Sequence, residues 1–208
     1  MILSLILPTA LASSYVLDPL HSTLVFAVES DLYTARGRFD RWSGEVQVPD
    51  DGDLNGMKGT VTVQIGSMDT GNRSRDNLLK TSDFFDLMAF DTAEFVILDS
   101  LVTDENQIYV TGEMTIKDRT HVLEIPLEVR GAPPERLRFS GSTTLSRKRF
   151  GLVYDYAPNP IGDEVLLEMD LNVLLQEPVQ ATDESASTTP PSQDSTSAAG
   201  SGSEVEER

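Results

Sequence analysis

Asp69-Thr70-Gly71 is the first place in this sequence where residue types and spacing could do chemistry. Aspartic proteases hydrolyse peptides with two aspartates that share one proton, each held in such a tripeptide. One copy is present, so Asp69 could serve only in a dimeric aspartic protease. Asn72 follows where such enzymes carry Ala or Ser. Neither Arg149–Gly151 nor Pro160–Gly162 supplies the later apolar-apolar-Gly support. A turn leading into a helix cap accounts for the tripeptide better.

Other constellations are weaker still. Asp51, Asp53, Asn55 and Gly56 match the first half of a calcium loop, but Thr62 stands where the bidentate Glu belongs and strand-like sequence flanks it. A hairpin loop is expected there. His21 and His121 lie in no metal-ligand spacing, and no G-x-S-x-G elbow offers a serine nucleophile, so both read as structural. Three arginine clusters (Arg36, Arg38 and Arg41; Arg73 and Arg75; Arg147, Lys148 and Arg149) support two readings. They are either ion pairs with neighbouring carboxylates or guanidinium forks for phosphate or carboxylate at a pocket mouth. No metal, no catalytic residue and no cofactor is expected, and the protein reads as a non-enzyme.

The frame that must position these residues has a period of two. Val61, Val63 and Ile65 alternate with polar residues, as do Leu123, Ile125, Leu127 and Val129, and then Val165, Leu167, Met169, Leu171 and Val173. Such alternation marks strands with one apolar and one wet face, typical of antiparallel sheets. Further strands are expected at Ser22–Glu29, Thr34–Asp40, Gly44–Val48, Glu94–Asp99, Gln107–Lys117 and Leu137–Lys148, with turn-forming clusters between them. The fold class is all-β, a meandering barrel or sandwich. One helical insertion breaks the pattern at Asn72–Phe90, with Asn72 or Ser74 as cap, Leu78 and Leu79 as its buried side, and Thr81 or Ser82 capping a second turn. Phe26, Phe39, Trp42, Phe84, Phe85, Phe90 and Phe95 gather around this insertion, as core or as the wall of an apolar cavity.

The chain has 208 residues, no cysteine and a formal charge of −18. That charge argues against nucleic acid and anionic membrane surfaces as partners. Residues 1–13 form an apolar run ending in Ala10-Leu11-Ala12, read as a signal peptide and hence as export to the periplasm or beyond, although no basic residue precedes the run. The run is too short for stable membrane insertion. Residues 179–208 are rich in Ser, Thr, Pro and acid without an aromatic, and read as a disordered acidic tail. Residues 14–178 are left as one folded domain, itself acidic.

The segments "YVLDPLHSTLVFAV", "ARGRFDRWSGEV", "IGSMDTGNRSRDNLLKTSDFFDLMAFDTAEF", "VTGEMTIKDRTHVLEIPLEV" and "RKRFGLVYDYAPNPIGDEVLLEMDLNVLL" together resemble the YceI-like family of lipid-binding proteins. Thr70–Asp76 followed by Asp83–Asp86 carries the most specific match. The resemblance implies an extended, lipocalin-like antiparallel barrel enclosing an apolar tunnel. An isoprenoid lipid, a polyprenyl phosphate or a quinone, would lie inside it. It implies a lining that includes Phe26, Val28, Phe39, Trp42, Val61, Val63, Leu79, Phe84, Phe85, Phe90 and Phe95, with Asn72, Arg75 and Asp76 as signature positions. Those three would touch the ligand or anchor the helix. Where many relatives carry a His after the strand matching "FAV", this chain has Glu29-Ser30; if that His orients the head group, a different head group or none is expected here. A homodimer is compatible with this reading. The alternatives are a solid scaffold or adhesion barrel, and the dimeric protease.

Overall fold

The computed structural model describes residues 12–49, 52–104, 106–130, 135–155 and 159–176. Apart from Ala12 and Ser13 the expected signal peptide lies outside them, as does the whole expected tail.

Eleven strands form one antiparallel sheet among these residues. They are β1 (Ala12–Leu17), β2 (Thr23–Ser30), β3 (Thr34–Phe39), β4 (Trp42–Pro49), β5 (Lys58–Gln64), β6 (Met68–Asp69), β7 (Thr92–Asp104), β8 (Gln107–Ile116), β9 (Arg119–Val129), β10 (Arg136–Ser146) and β11 (Ile161–Leu175). A single α-helix, α1 (Arg73–Leu79), interrupts them. Three pairs act as long, bent strands: β1 with β2 around a 3-10 turn at Pro19–His21, β3 with β4, and β5 with β6 around Ile65–Ser67. Counted so, the chain is a meander of eight strands closed into a barrel, as expected. Closure comes from β11, whose C-terminal end pairs β1 at Val173–Leu175 and whose N-terminal part pairs β2.

Alternation drives this closure. Val165, Leu167, Met169, Leu171 and Val173 of β11 all face inward, so a slip of one residue would turn the whole apolar set to solvent. Opposite Phe26 in the β2–β3 ladder sits Gly37, where a Cβ would come within 2.4 Å of the phenylalanine ring. Only glycine lets that ring lie flat across the neighbouring strand.

Three departures from the expected strands have physical causes. β1 was not expected as a strand, because its first residues continue the apolar N-terminal run. β7 was expected to end at Asp99 but runs to Asp104. Ile97 pairs Gly112 and Asp99 pairs Thr111, so Leu98 is an extra residue. Past this bulge the inward positions shift from Phe95 and Ile97 to Ser100 and Val102, and the simple alternation is lost. The β9–β10 ladder is short, joining Leu127–Val129 to Phe139–Gly141. It stops where Pro126, which has no N–H to give, would be next. Beyond it the segment after β10 fills the seam: His121 Nε2 lies 3.1 Å from the Arg149 carbonyl, and the buried Phe150 ring meets the imidazole edge-on.

The two barrel ends are finished differently. At one end the loop 52–57 folds over the interior. Ser100 Oγ accepts from Met57 N–H and donates to the Leu54 carbonyl, while Asn55 Oδ1 accepts from Val102 N–H. Asp53 accepts from Asn55. Within the described part of this loop the carboxylate and amide stitch the turn to the β7 bulge. The α1 insertion spans the other end.

Candidate functional site

A cavity of about 460 Å³ runs inside the barrel beneath α1. That volume lies within the range of small-molecule sites, roughly 300–1,000 Å³. Its wall is almost entirely apolar. Phe26, Val28, Phe39, Trp42, Val61, Val63, Leu79, Phe84, Phe85 and Phe95 all line it, as do Asn72 and Arg75. Asp76 and Phe90 do not. Phe90 closes a turn through its N–H to the Asp86 carbonyl, and Asp76 works on the helix corner.

That corner begins at Asp69. Its Oδ1 accepts from Gly71 N–H at 2.8 Å and its Oδ2 pairs with Arg38 at 2.9 Å. The carboxylate therefore straps the turn to β3. Asn72 is the helix cap, with Oδ1 accepting from the N–H groups of Ser74 and Arg75. Asp76 Oδ1 accepts from both the N–H and the hydroxyl of Thr70, at 3.0 and 2.6 Å. Arg75 donates to the same hydroxyl and to the Thr70 carbonyl, both at 2.9 Å. Thr70 is thus gripped from two sides by the signature Arg and Asp, and this fixes where α1 crosses the barrel. The expected buried side of α1 is less buried than its sequence suggests: Leu78 is 37% exposed and Leu79 is half-buried. Both line the cavity, and Leu79 also packs against the buried cluster of Ile65, Met68 and Ala93. After α1 the expected second cap is a turn in which the Thr81 carbonyl accepts from the N–H groups of Phe84 and Asp86.

The arginine clusters divide between their two readings. Arg38 on the barrel's outer face pairs with Asp40 and Asp69, and Arg36 lies 4.0 Å from Glu168. Arg75 lines the cavity with no carboxylate partner among the described residues, its guanidinium over the Tyr33 ring at 5.8 Å. Arg147 also lines the cavity and is 4% exposed. It donates to the carbonyls of Gly162, Leu152, Tyr154 and Ile161, and to Asp155 Oδ1. All five of its N–H donors are spent on the loop after β10 and on Ile161 and Gly162 at the start of β11. Two carboxylates finish that loop. The Ile161 N–H, with Lys148 and Arg147 nearby, holds Asp155 below the usual carboxylate range. The Lys148 N–H and the Ser146 hydroxyl do the same for Asp163.

Tyr33 and Asn159 are polar wall residues that sequence reasoning did not place there, whereas Arg147 belongs to a cluster for which a pocket-mouth fork was one of two readings. Arg147 stood out as part of a basic cluster. Tyr33 and Asn159 sit in turns, where no periodicity reports which way a side chain points. The imidazoles are structural: His21 Nδ1 sits 2.6 Å from Asp18 Oδ2, and the ring's hydrogen bond draws that carboxyl's pKa down. Among the described residues no group of three or more His, Cys, Asp or Glu could hold a metal ion, and no helix is long and apolar enough to cross a membrane.

Proteins similar to this chain are found in several bacteria. A UPF0312 protein of Staphylococcus epidermidis is 31% identical over 148 residues, covering 67% of this chain and 82% of its own. One from Vibrio cholerae is 28% identical over 170 residues, covering 78% and 86%. Among solved structures, BcnA of Burkholderia cenocepacia superposes with a TM-score of 0.68 at 21% identity, covering 75% of this chain and 98% of its own. A polyisoprenoid binding domain from Saccharophagus degradans does so with a TM-score of 0.62 at 14% identity, covering 78% and 98%. The family model for the YceI-like domain matches residues 15–173, nearly the whole barrel, and the chain belongs to that family.

Proposed function

We propose that this chain is an exported, non-enzymatic lipid-binding protein that holds an isoprenoid chain inside its barrel, for carriage, storage or protection. The observation that carries this reading is the cavity itself, about 460 Å³ and walled by alternate residues of nearly every strand. A branched hydrocarbon chain suits such a wall. Each buried carbon contributes about 0.8 kcal/mol, so a five-carbon unit brings roughly 4 kcal/mol before the cost of association, itself about 4–15 kcal/mol. A few units are needed before binding is tight, which favours a polyprenyl chain over a short terpene. The description of the Saccharophagus degradans domain as polyisoprenoid binding supports the same ligand class. The apolar run before Ala12 supports export. No second, cofactor-like group is called for beyond the lipid.

Organic extraction of the purified protein followed by mass spectrometry tests the reading. A stoichiometric isoprenoid is expected in the extract. An empty extract, with no uptake when the protein is then incubated with polyprenols and isoprenoid quinones, would leave the scaffold barrel as the better account.

A further inference from the structure

Four connections meet at the α1 end: the β2–β3 turn, the insertion that carries α1, the β8–β9 turn and the loop between β10 and β11. Side chains tie them together. Arg75 lies over the Tyr33 ring, Lys117 Nζ donates to the Phe84 carbonyl at 2.8 Å, and the Phe84 ring meets Tyr154 with centroids 4.9 Å apart. The cavity opens among them, because Tyr33 and Leu78 border it and are also exposed to solvent. Around this mouth the connections present apolar side chains where turns are ordinarily polar. Leu32 is 77% exposed, Met88 is 97% exposed, and Val153 is exposed as well. None of these three borders the cavity, so lining it does not account for them. Of the ten large hydrophobic residues exposed among the described residues, five lie in these connections, which concentrates them at one end of the barrel.

Charge divides the molecule in the same way. The four connections, residues 31–33, 70–91, 117–118 and 147–160, hold seven acidic and seven basic residues. Those of the other end, 50–57, 105–106 and 130–135, hold five acidic residues and one basic. In a chain of charge −18 the mouth end is neutral. We infer that this end docks on the surface of a neutral, zwitterionic lipid bilayer, with Leu32, Met88 and Val153 entering it and the mouth facing the lipid. The inference rests on reading the cavity as an isoprenoid site. An isoprenoid crossing open water would expose every carbon it buries at either end of the journey, and a mouth seated on the bilayer removes that barrier. A protein partner needs a continuous complementary face, whereas these side chains stand on separate tips with charged residues between them. A fluid bilayer takes up such side chains singly. The acidic remainder of the protein turns it away from anionic lipid and leaves only this end able to approach.

Flotation of the full chain with phosphatidylcholine vesicles tests the inference. The wild type should float with the vesicles, and raising the salt should not release it, because the contact is apolar. The double variant Leu32→Ser/Met88→Ser should bind the vesicles at least about tenfold more weakly. Leu20→Ser/Leu101→Ser, which removes two apolar side chains exposed away from the mouth, should change binding by about twofold at most. Uptake of a polyprenol from the vesicles should slow in the first variant, while binding of the same polyprenol from detergent micelles stays as in the wild type. A wild type that stays behind in the soluble fraction, or equal losses in the two variants, would overturn the inference. So would a first variant whose only change is loss of a dimer seen by light scattering, which would give the face to a second copy of the chain. Docking with no polyprenol taken up from vesicles or micelles would instead overturn the isoprenoid reading from which the inference starts.

Discussion

The end of the barrel closed by loop 52–57 and the end crossed by α1 are built by different means. At the closed end Tyr15, Val48 and Ile108 are buried against one another's cluster and none of them borders the cavity. The strands there are joined by continuous backbone ladders, with β11 pairing both β10 and β1. At the α1 end the β9–β10 ladder is missing, the buried cluster is the small one of Ile65, Met68 and Ala93, and single side chains hold the turns: Asp76 and Arg75 on Thr70, Arg147 on four carbonyls, and Lys117 Nζ on the Phe84 carbonyl at 2.8 Å. A hollow end forgoes packing energy, so it must be held by bonds that cost little volume. The cavity reaches as far as Met57 of the closing loop, so the expected contrast is one of degree: more packing toward the closed end, more single side-chain ties at the α1 end.

The sharpest way to break this contrast is at the solid end. Ile108, 1% exposed, should cost about 2–5 kcal/mol when replaced by alanine, because the packed neighbours cannot fully collapse into the space. Urea denaturation should show the loss as a lower midpoint with an unchanged slope. A loss below about 1 kcal/mol would mean that the closed end is not the stable one.

Arg147→Met should give a smaller and more local effect. It leaves four carbonyls and Asp155 without their donor, yet the loop they belong to can turn toward water. An overall loss of roughly 1–3 kcal/mol is expected, with amide protection lost first in 148–155 and only later in β10 and β11. Equal loss of protection along β8 and β9 would show that the buried guanidinium supports the whole barrel.

The same division explains what could be read from the sequence. The ladders follow from alternation, so β5, β9 and β11 were legible in Val61–Ile65, Leu123–Val129 and Val165–Val173, while alternation left barrel and sandwich open and the family resemblance pointed to the barrel. Alternation fails where a bulge adds Leu98, and at Pro126 it continues but does not report that the pairing with β10 stops, so neither feature was legible. At the α1 end the cap at Asn72 was legible because capping is local in sequence. The partners of Asp76 were not, because its bond to Thr70 depends on how the turn folds back. Arg147 and Asn159 were hardest, since their roles depend on a loop that packs into a seam and on Ser30, 129 residues away from Asn159.

Acid should separate the two ends by the smallest effect, and the sign follows from the carboxylates. Asp155 and Asp163 at the β10–β11 loop, and Asp170 on the β10–β11 ladder, all have pKa values drawn down in the folded protein. For Asp170 the cause is its bond to Arg138, at 2.6 Å. A depressed carboxylate contributes stability that is present above its unfolded value near pH 4 and is lost as the pH falls through its folded value. The three should therefore all weaken below about pH 4, but with different consequences. Protonating Asp170 removes an exposed ion pair from a ladder that backbone bonds already hold. Protonating Asp163 and Asp155 weakens the bonds to Lys148 N–H and Ile161 N–H that hold the loop around Arg147. Amide protection factors, corrected for intrinsic exchange, should thus fall at 148–155 as the pH drops below about 4 while β10 and β11 keep theirs. Asp163→Asn should bring that local loosening to neutral pH. If β10 and β11 lose protection together with the loop, the hollow end is not held separately from the wall, and the contrast between the two ends fails.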